Sequence, residues 1–98
     1  MIFTGFTGRL RHNSPKDRPV LFALAGLDQV QADIQRLGRP SMLALWHSIR
    51  GQALLGLGRH ADAVPALQAA STHFEQVPDA LMREERDATT RALQRASQ

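Results

Sequence analysis

Cysteine is absent from this chain of 98 residues. Its absence excludes disulfide bonds and thiolate metal sites, and it agrees with a reducing compartment. Long apolar runs are missing too: the longest stretch of apolar residues and glycine is Val20–Leu27, far short of the about 20 residues that a membrane-spanning helix needs. No apolar core follows a basic start at the N-terminus, so we expect no signal peptide. The sequence therefore predicts a cytoplasmic protein without a membrane span.

Excess positive charge is confined to the N-terminal end. Residues 1–19 carry four basic side chains against Asp17, which accounts for the whole net charge of +3. The four are Arg9, Arg11, Lys16 and Arg18. Prolines and a repeated Phe-Thr-Gly disfavour a helix in this segment. We therefore divide the chain into a basic, irregular or extended N-terminal arm, residues 1–19, and a single domain, residues 20–98.

The spacing of apolar residues beyond the arm predicts four helices, because these residues recur at steps of three and four. Gly38 and Gly58 are expected to end the first two helices in the left-handed conformation. Pro78 is expected to end the third helix, with Asp79 as the N-cap of the fourth. The predicted helices cover residues 20–37, 41–57, 60–77 and 79–96. Turns this short favour antiparallel neighbours, so the expected fold is all-α, an antiparallel stack of α-hairpins.

A proline lies close after the second predicted joint, within the stretch GRHADAVPALQ, residues 58–68. Pro65 does not exclude a helix there, because the first N–H groups of a helix have no partner inside it. If the helix begins at His60, one hydrogen bond is lost and a slight kink follows. We expect helix through Pro65 and a break confined to about residues 57–61.

The stretch ALWHSIRGQALLGLGRHADAVPALQAA, within residues 41–77, resembles a tetratricopeptide repeat. The motif is carried by small residues and one leucine: Gly51, Gly58, Ala63, Leu67 and Ala70. The resemblance implies that Gly51 lies where two paired helices touch, that Gly58 closes the first of them, and that the alanines allow close packing. Five positions depart from the usual pattern. Arg50 replaces a leucine, and Leu54 and His60 replace aromatic residues. Trp46 lies one position away from the usual aromatic residue, and Pro78 comes later than usual.

The resemblance also implies a surface that binds a protein or peptide on the first helix of the pair. Carried over to this sequence, that surface comprises Leu45, Ser48, Ile49, Gln52 and Leu55, with Trp46 beside it. It contains no Lys, Arg or Asn, so we expect an apolar surface suited to a helix or an extended peptide. The alternative is that the first helix or the N-terminal arm covers these residues.

Two hairpins are few for such a stack, because about three repeats are normally needed to bury the apolar faces. The second predicted helix carries more apolar surface than so small a body covers easily. We therefore expect self-association, as a homo-oligomer, or an obligate partner protein. Trp46, Ile49 and Leu55 are expected at or beside that contact, with Phe22 as a further anchor.

Signals for catalysis or cofactors are lacking. No two histidines lie four residues apart, no phosphate-binding loop is present and no serine lies in a nucleophile motif. We expect a non-catalytic protein without metal or cofactor, in which His47 is partly buried and hydrogen-bonded. The alternative function is weak, salt-sensitive binding of anions or nucleic acid through Arg9, Arg11, Lys16 and Arg18.

Overall fold

Four α-helices follow one another in the computed structural model, which describes residues 17–78 and 80–98. They are α1 (Arg18–Leu37), α2 (Pro40–Gly56), α3 (His60–Phe74) and α4 (Arg83–Ala96). No strand occurs in these two ranges, so the all-α prediction is confirmed for them. The prediction for the N-terminal arm lies outside the described residues, apart from its last three. Of those, Arg18 and Pro19 already belong to α1, which begins two residues before the predicted start.

Glycines end the first helix and close the joint after the second, as predicted. Gly38 has φ 64°, and its N–H donates to the carbonyl of Ile34. Gly58 has φ 80°, and its N–H donates to the carbonyl of Leu55 at 3.0 Å. α2 and α3 are separated only by residues 57–59, and Pro65 lies inside α3. The prediction of a hairpin joint with helix through Pro65 is therefore confirmed.

The connection between α3 and α4 is longer than predicted. α3 ends at Phe74 instead of residue 77, and α4 begins at Arg83 instead of residue 79. The N-cap position of α4 is held by Met82 in the left-handed conformation, with φ 56°, whereas Asp79 lies outside the described residues. The backbone here is held by tertiary contacts: Arg86 Nη2 donates to the carbonyls of Val77 at 2.9 Å and of Phe74 at 3.3 Å.

α2 is the central helix, with α1 on one side, α3 packed most extensively against it, and α4 against both α3 and α2. Gly51 marks the crossing of α2 and α3, because a Cβ there would lie 2.6 Å from Leu67 Cγ. One core cluster comprises Leu54, Ala63, Ala66, Leu67, Ala92 and Ala96. A second comprises Ala44, Ala70, Phe74 and Val77. The core is built largely of alanines, which lets the helix backbones approach closely.

α1 is attached differently from the other helices. None of its twenty residues is fully buried. It contacts α2 through one edge, where Trp46 Nε1 donates to the carbonyl of Leu27 at 2.9 Å. No helix within residues 17–98 is both long and apolar enough to cross a membrane.

Candidate functional site: the open side of α2

One side of α2 is left open by its neighbours. Its residues recur at steps of three and four, which places them on a single side of the helix. Ile49 lies in the middle and is 47% exposed. Gln52 and Gly56 are also exposed, while Met42 and Leu45 are half-buried. These five residues, Met42, Leu45, Ile49, Gln52 and Gly56, are called the α2 face.

Two of the six side chains predicted to bind a partner lie inside the fold. Trp46 is 6% exposed and contacts α1, and Ser48 is 2% exposed and faces α4. Leu45, Ile49 and Gln52 share the α2 face, while Leu55 is half-buried towards the core cluster of Leu54 and Leu67. The structure thus brings three of the six together on one open surface. For Trp46, it agrees with the alternative that α1 covers part of α2.

A chain of hydrogen bonds joins the α2 face to α4. Gln52 Nε2 donates to Ser48 Oγ at 2.8 Å, and Ser48 Oγ lies 2.6 Å from Thr89 Oγ1. Thr89 Oγ1 donates to the carbonyl of Glu85 at 2.7 Å. Since the Thr89 hydroxyl has one proton, Ser48 is the donor to Thr89. The buried hydroxyl groups are therefore satisfied, and the Gln52 side chain is fixed at the edge between α2 and α4.

A shallow groove of about 400 Å³ lies beside this edge. Its lining residues come from α2, α4 and the C-terminus: Gln52, Ala88, Arg91, Ala92, Gln94, Arg95 and Gln98. A second depression continues it towards the start of α3, lined by Gln52, Leu55, Gly56, His60 and Arg95. We call the two together the α2–α4 groove. Two guanidinium groups line it and no Asp or Glu side chain does, so its chemistry suits an anionic or acidic ligand group.

Arg91 and Arg95 are absent from the predicted partner surface. The residues of that predicted surface all belong to α2, whereas α4 completes the groove. The two helices run in the same direction, because Ser48 lies against Thr89 while Gln52 and Gly56 lie near Arg95. A two-helix period of about forty residues is the signal that relates such positions. The residue about forty positions after Gln52 is Ala92, which lines the groove.

His47 and His73 form a contact that sequence spacing did not predict. Their rings are stacked, with centroids 5.4 Å apart and planes 10° apart. The Trp46 ring stands at 87° to His47, with its centroid 4.9 Å away. Burial, followed by the charges of His73 and Arg50, lowers the pKa of His47. His47 is half-buried as expected, but within the described residues its ring makes ring contacts and not the expected hydrogen bond. The lowered pKa favours the neutral imidazole.

In the described part of the chain, the structure shows no cluster of metal ligands and only one residue of the predicted basic-arm anion site. No group of three His, Asp or Glu side chains comes together there. Of the predicted anion-binding residues, Arg9, Arg11 and Lys16 lie outside the described residues. Arg18 is exposed on the first turn of α1. The alternative function through the basic arm stays a prediction.

Gly51 and Gly58 have the geometry that the tetratricopeptide resemblance implies for them. Gly51 lies at the helix crossing, and Gly58 closes the turn after α2. Any pair of closely packed antiparallel helices makes the same demands, so the membership of the family stays a prediction. Comparison of the chain with models of protein families, with curated proteins and with solved structures found no match.

Proposed function

We propose that this chain is a non-catalytic protein–protein interaction module that binds a helical or extended segment of a partner across the α2 face and the α2–α4 groove. The observation that carries the proposal is the exposure of Ile49. It lies nearly half exposed, at 47%, on a helix whose other sides are packed against α1, α3 and α4. An apolar row at steps of three and four matches the way an amphipathic helix docks into a groove.

The charges beside the α2 face indicate the chemistry of the partner segment. Arg91 and Arg95 both line the groove, and no Asp or Glu side chain lines it with them. Guanidinium groups bind carboxylates through charge-assisted hydrogen bonds, often two at a time. The partner segment therefore has apolar side chains three or four residues apart and acidic side chains along the edge that meets α4.

The shallowness of the groove sets the strength of binding. A single short segment against the α2 face buries less than the about 1,200 Å² of a standard interface. Affinities on the order of micromolar follow for such a contact. Binding of this strength suits a reversible adaptor, a regulatory subunit or a chaperone-like protein. The lack of cysteine favours a reducing compartment such as the cytoplasm for this role.

Selection of binding peptides from a random displayed library tests the proposal with the purified chain. We expect enriched peptides to combine apolar residues at helical spacing with Asp or Glu. For a synthetic copy of one such peptide, fluorescence anisotropy should show affinity at least about fivefold weaker for Ile49→Asp, because a central apolar contact contributes over about 1 kcal/mol. Arg95→Glu should weaken the same peptide most strongly at low salt.

Leu81→Asp is the matched control, since Leu81 is an equally large apolar residue, 56% exposed, outside the α2 face and the groove. Its affinity for the peptide should stay at the wild-type value. Equal losses for Leu81→Asp and Ile49→Asp would refute the assignment of the surface. Binding that is insensitive to Ile49→Asp and collapses between low and moderate salt would instead support anion binding through the basic arm.

A further inference from the structure

Along the side of α1 that points away from α2, the described residues leave an apolar strip exposed. Phe22 is 81% exposed, Val30 42% and Leu37 56%. Ala23 and Gly26 are exposed between them. At about 100° per residue these five positions share one side of the helix. The residues Phe22, Ala23, Gly26, Val30 and Leu37 are called the outer face of α1.

The opposite end of the stack has a different character. α1 packs against α2, and α4 packs against α3 and α2, so α1 and α4 form the two ends. The exposed side of α4 is polar throughout, with Arg83, Glu84, Asp87, Thr90 and Gln94. Terminal helices of a stack need such polar outer faces to end it. Within the described residues, the stack therefore ends in a polar face at α4 and in an uncovered apolar strip at α1.

The outer face of α1 is complementary to itself. Gly26 lies at its centre, and nothing lies within 4 Å of the place a Cβ would occupy there. A glycine lets a second backbone approach closely. Phe22 and Val30 lie at equal distances along the chain on either side of Gly26. An antiparallel copy of α1 crossing at Gly26 therefore places each Phe22 against the Val30 of the other copy.

Charged residues extend the same symmetry. Arg18 precedes Gly26 by two turns, and Asp33 follows it by two turns. Within one helix the two are on the order of 22 Å apart and do not meet. Asp33 forms an exposed ion pair with Arg36 of its own helix at 2.8 Å. In the antiparallel pair, Arg18 of one copy lies beside this Asp33 of the other as a further cation, twice over. The apolar and the charged residues thus favour the same arrangement. The antiparallel pair also places the positive end of each helix dipole beside the negative end of the other, which is favourable.

We propose that two copies of this chain associate through their α1 helices, antiparallel and crossing at Gly26. The contact is isologous, so it closes with two copies. It is distinct from the proposed partner site, because it uses none of the residues of the α2 face or the α2–α4 groove. Two helix faces alone make a small interface, so the dimer dissociates in the micromolar range.

Sedimentation equilibrium of the full chain across micromolar concentrations tests the proposal. The wild type should pass from monomer to dimer as concentration rises. Phe22→Asp should weaken the dimer at least tenfold, because it places two charges in the contact. Gly26→Gln should weaken the dimer while raising the thermal stability of the monomer, since glutamine is a better helix former. Leu81→Asp, the control, should leave the dimer unchanged.

An exchange of charges distinguishes this pairing from any other dimer. Arg18→Asp alone places like charges in contact, and so does Asp33→Arg alone, so each variant should form a dimer a few-fold weaker than the wild type at low salt. A mixture of the two variants should form a heterodimer, because both contacts are then opposite in charge. The heterodimer should approach the affinity of the wild-type dimer.

Two results would overturn the proposal. One is a chain that stays monomeric at all these concentrations, with nuclear Overhauser contacts between Phe22 and side chains of residues 1–16, which would show that the N-terminal segment occupies the face. The other is a dimer that survives Phe22→Asp or that shows no preference for the mixed charge variants. Because Ile49→Asp leaves the outer face of α1 intact, failure here leaves the partner site to be judged separately.

Discussion

A single missing side chain sets the distance between α2 and α3. At Gly51, a Cβ would lie 2.6 Å and 2.7 Å from two side-chain carbons of Leu67 and 3.2 Å from its backbone nitrogen. The side chain of Leu67 is fully buried, so it has no open space into which to move. The close approach of the two helices therefore depends on glycine at this position.

Gly51→Ala should destabilise the protein by about 1–2 kcal/mol. Overfilling a packed core costs about 1–3 kcal/mol, and alanine returns up to about 1 kcal/mol through its better helix propensity. Gly56→Ala, on the same helix, is the matched control, because nothing lies within 4 Å of its added methyl group. It should stabilise by about 0.4–1 kcal/mol. Urea denaturation measures both, and a loss for Gly56→Ala equal to that of Gly51→Ala would contradict this account of the crossing.

The roles of Gly38 and Gly58 were predictable because the conformation of a helix end is local. Gly38 and Gly58 have positive φ, as a helix end requires. The burial of the Trp46 and Ser48 side chains was not predictable in the same way. Both lie on a helix that is apolar on several sides, and which side α1 and α4 cover is decided by tertiary packing. Periodicity therefore located α2 and part of its open face, but it did not separate the open positions from the buried ones.

At the scale of the element, Pro65 is the clearest departure from a regular helix. α3 begins at His60, and the first bond to its N-cap residue runs from the N–H of Ala63 to the carbonyl of Arg59. A residue with an N–H at position 65 would bond in the same way to the carbonyl of Ala61. Because proline has no N–H, the Ala61 carbonyl lacks that bond, and the Pro65 ring crowds the same carbonyl.

Pro65→Ala should stabilise the protein by about 1–2 kcal/mol. The change restores a helical hydrogen bond, and the gain exceeds the about 0.4–1 kcal/mol lost because the unfolded chain becomes more flexible. Pro40→Ala is the control of opposite sign. Pro40 is the first residue of α2, where no N–H partner is lost, so its replacement should destabilise by about 0.4–1 kcal/mol. Equal shifts of the urea midpoint in the same direction would contradict this difference between the two helices.

The helix ends show where local signals stop being sufficient. The ends of α1 and α2 are close to those predicted, because glycine marks each joint. The start of α4 differs by four residues from the prediction. There the backbone is held by hydrogen bonds from Arg86 to the carbonyls of Phe74 and Val77. These contacts join α4 to the end of α3 and to the segment that follows it, and neither the N-cap preference nor the charge pattern of the segment contains that information.

At the scale of the whole molecule, the candidate site is a product of the stack. The α2 face supplies apolar side chains, and α4 supplies Arg91 and Arg95, which lie about one two-helix period further along the sequence. The outer face of α1 lies at the open end of the same stack. The four helices of the described residues therefore present two separate surfaces, for which we propose a partner with acidic groups and a second copy of the chain.

The stacked histidines join the two helices that form most of the core. His47 belongs to α2 and His73 to α3, and their rings are 5.4 Å apart. Burial lowers the pKa of His47 most, and the charges of His73 and Arg50 lower it further. The unfolded chain, in which a histidine has a pKa of about 6.5, therefore binds a proton at a higher pH than the folded chain does.

This difference predicts a loss of stability in mild acid. Between pH about 6.5 and the lowered folded-state pKa of His47, the unfolded state holds more protons, so the free energy of unfolding falls as pH falls. Above that window the contribution of His47 is fully present, and below it this residue causes no further change. Urea midpoints measured from pH 8 to pH 5 should fall for the wild type and should change less for His47→Gln. Parallel curves for the two proteins would show that the stacked pair is not the source of the pH dependence.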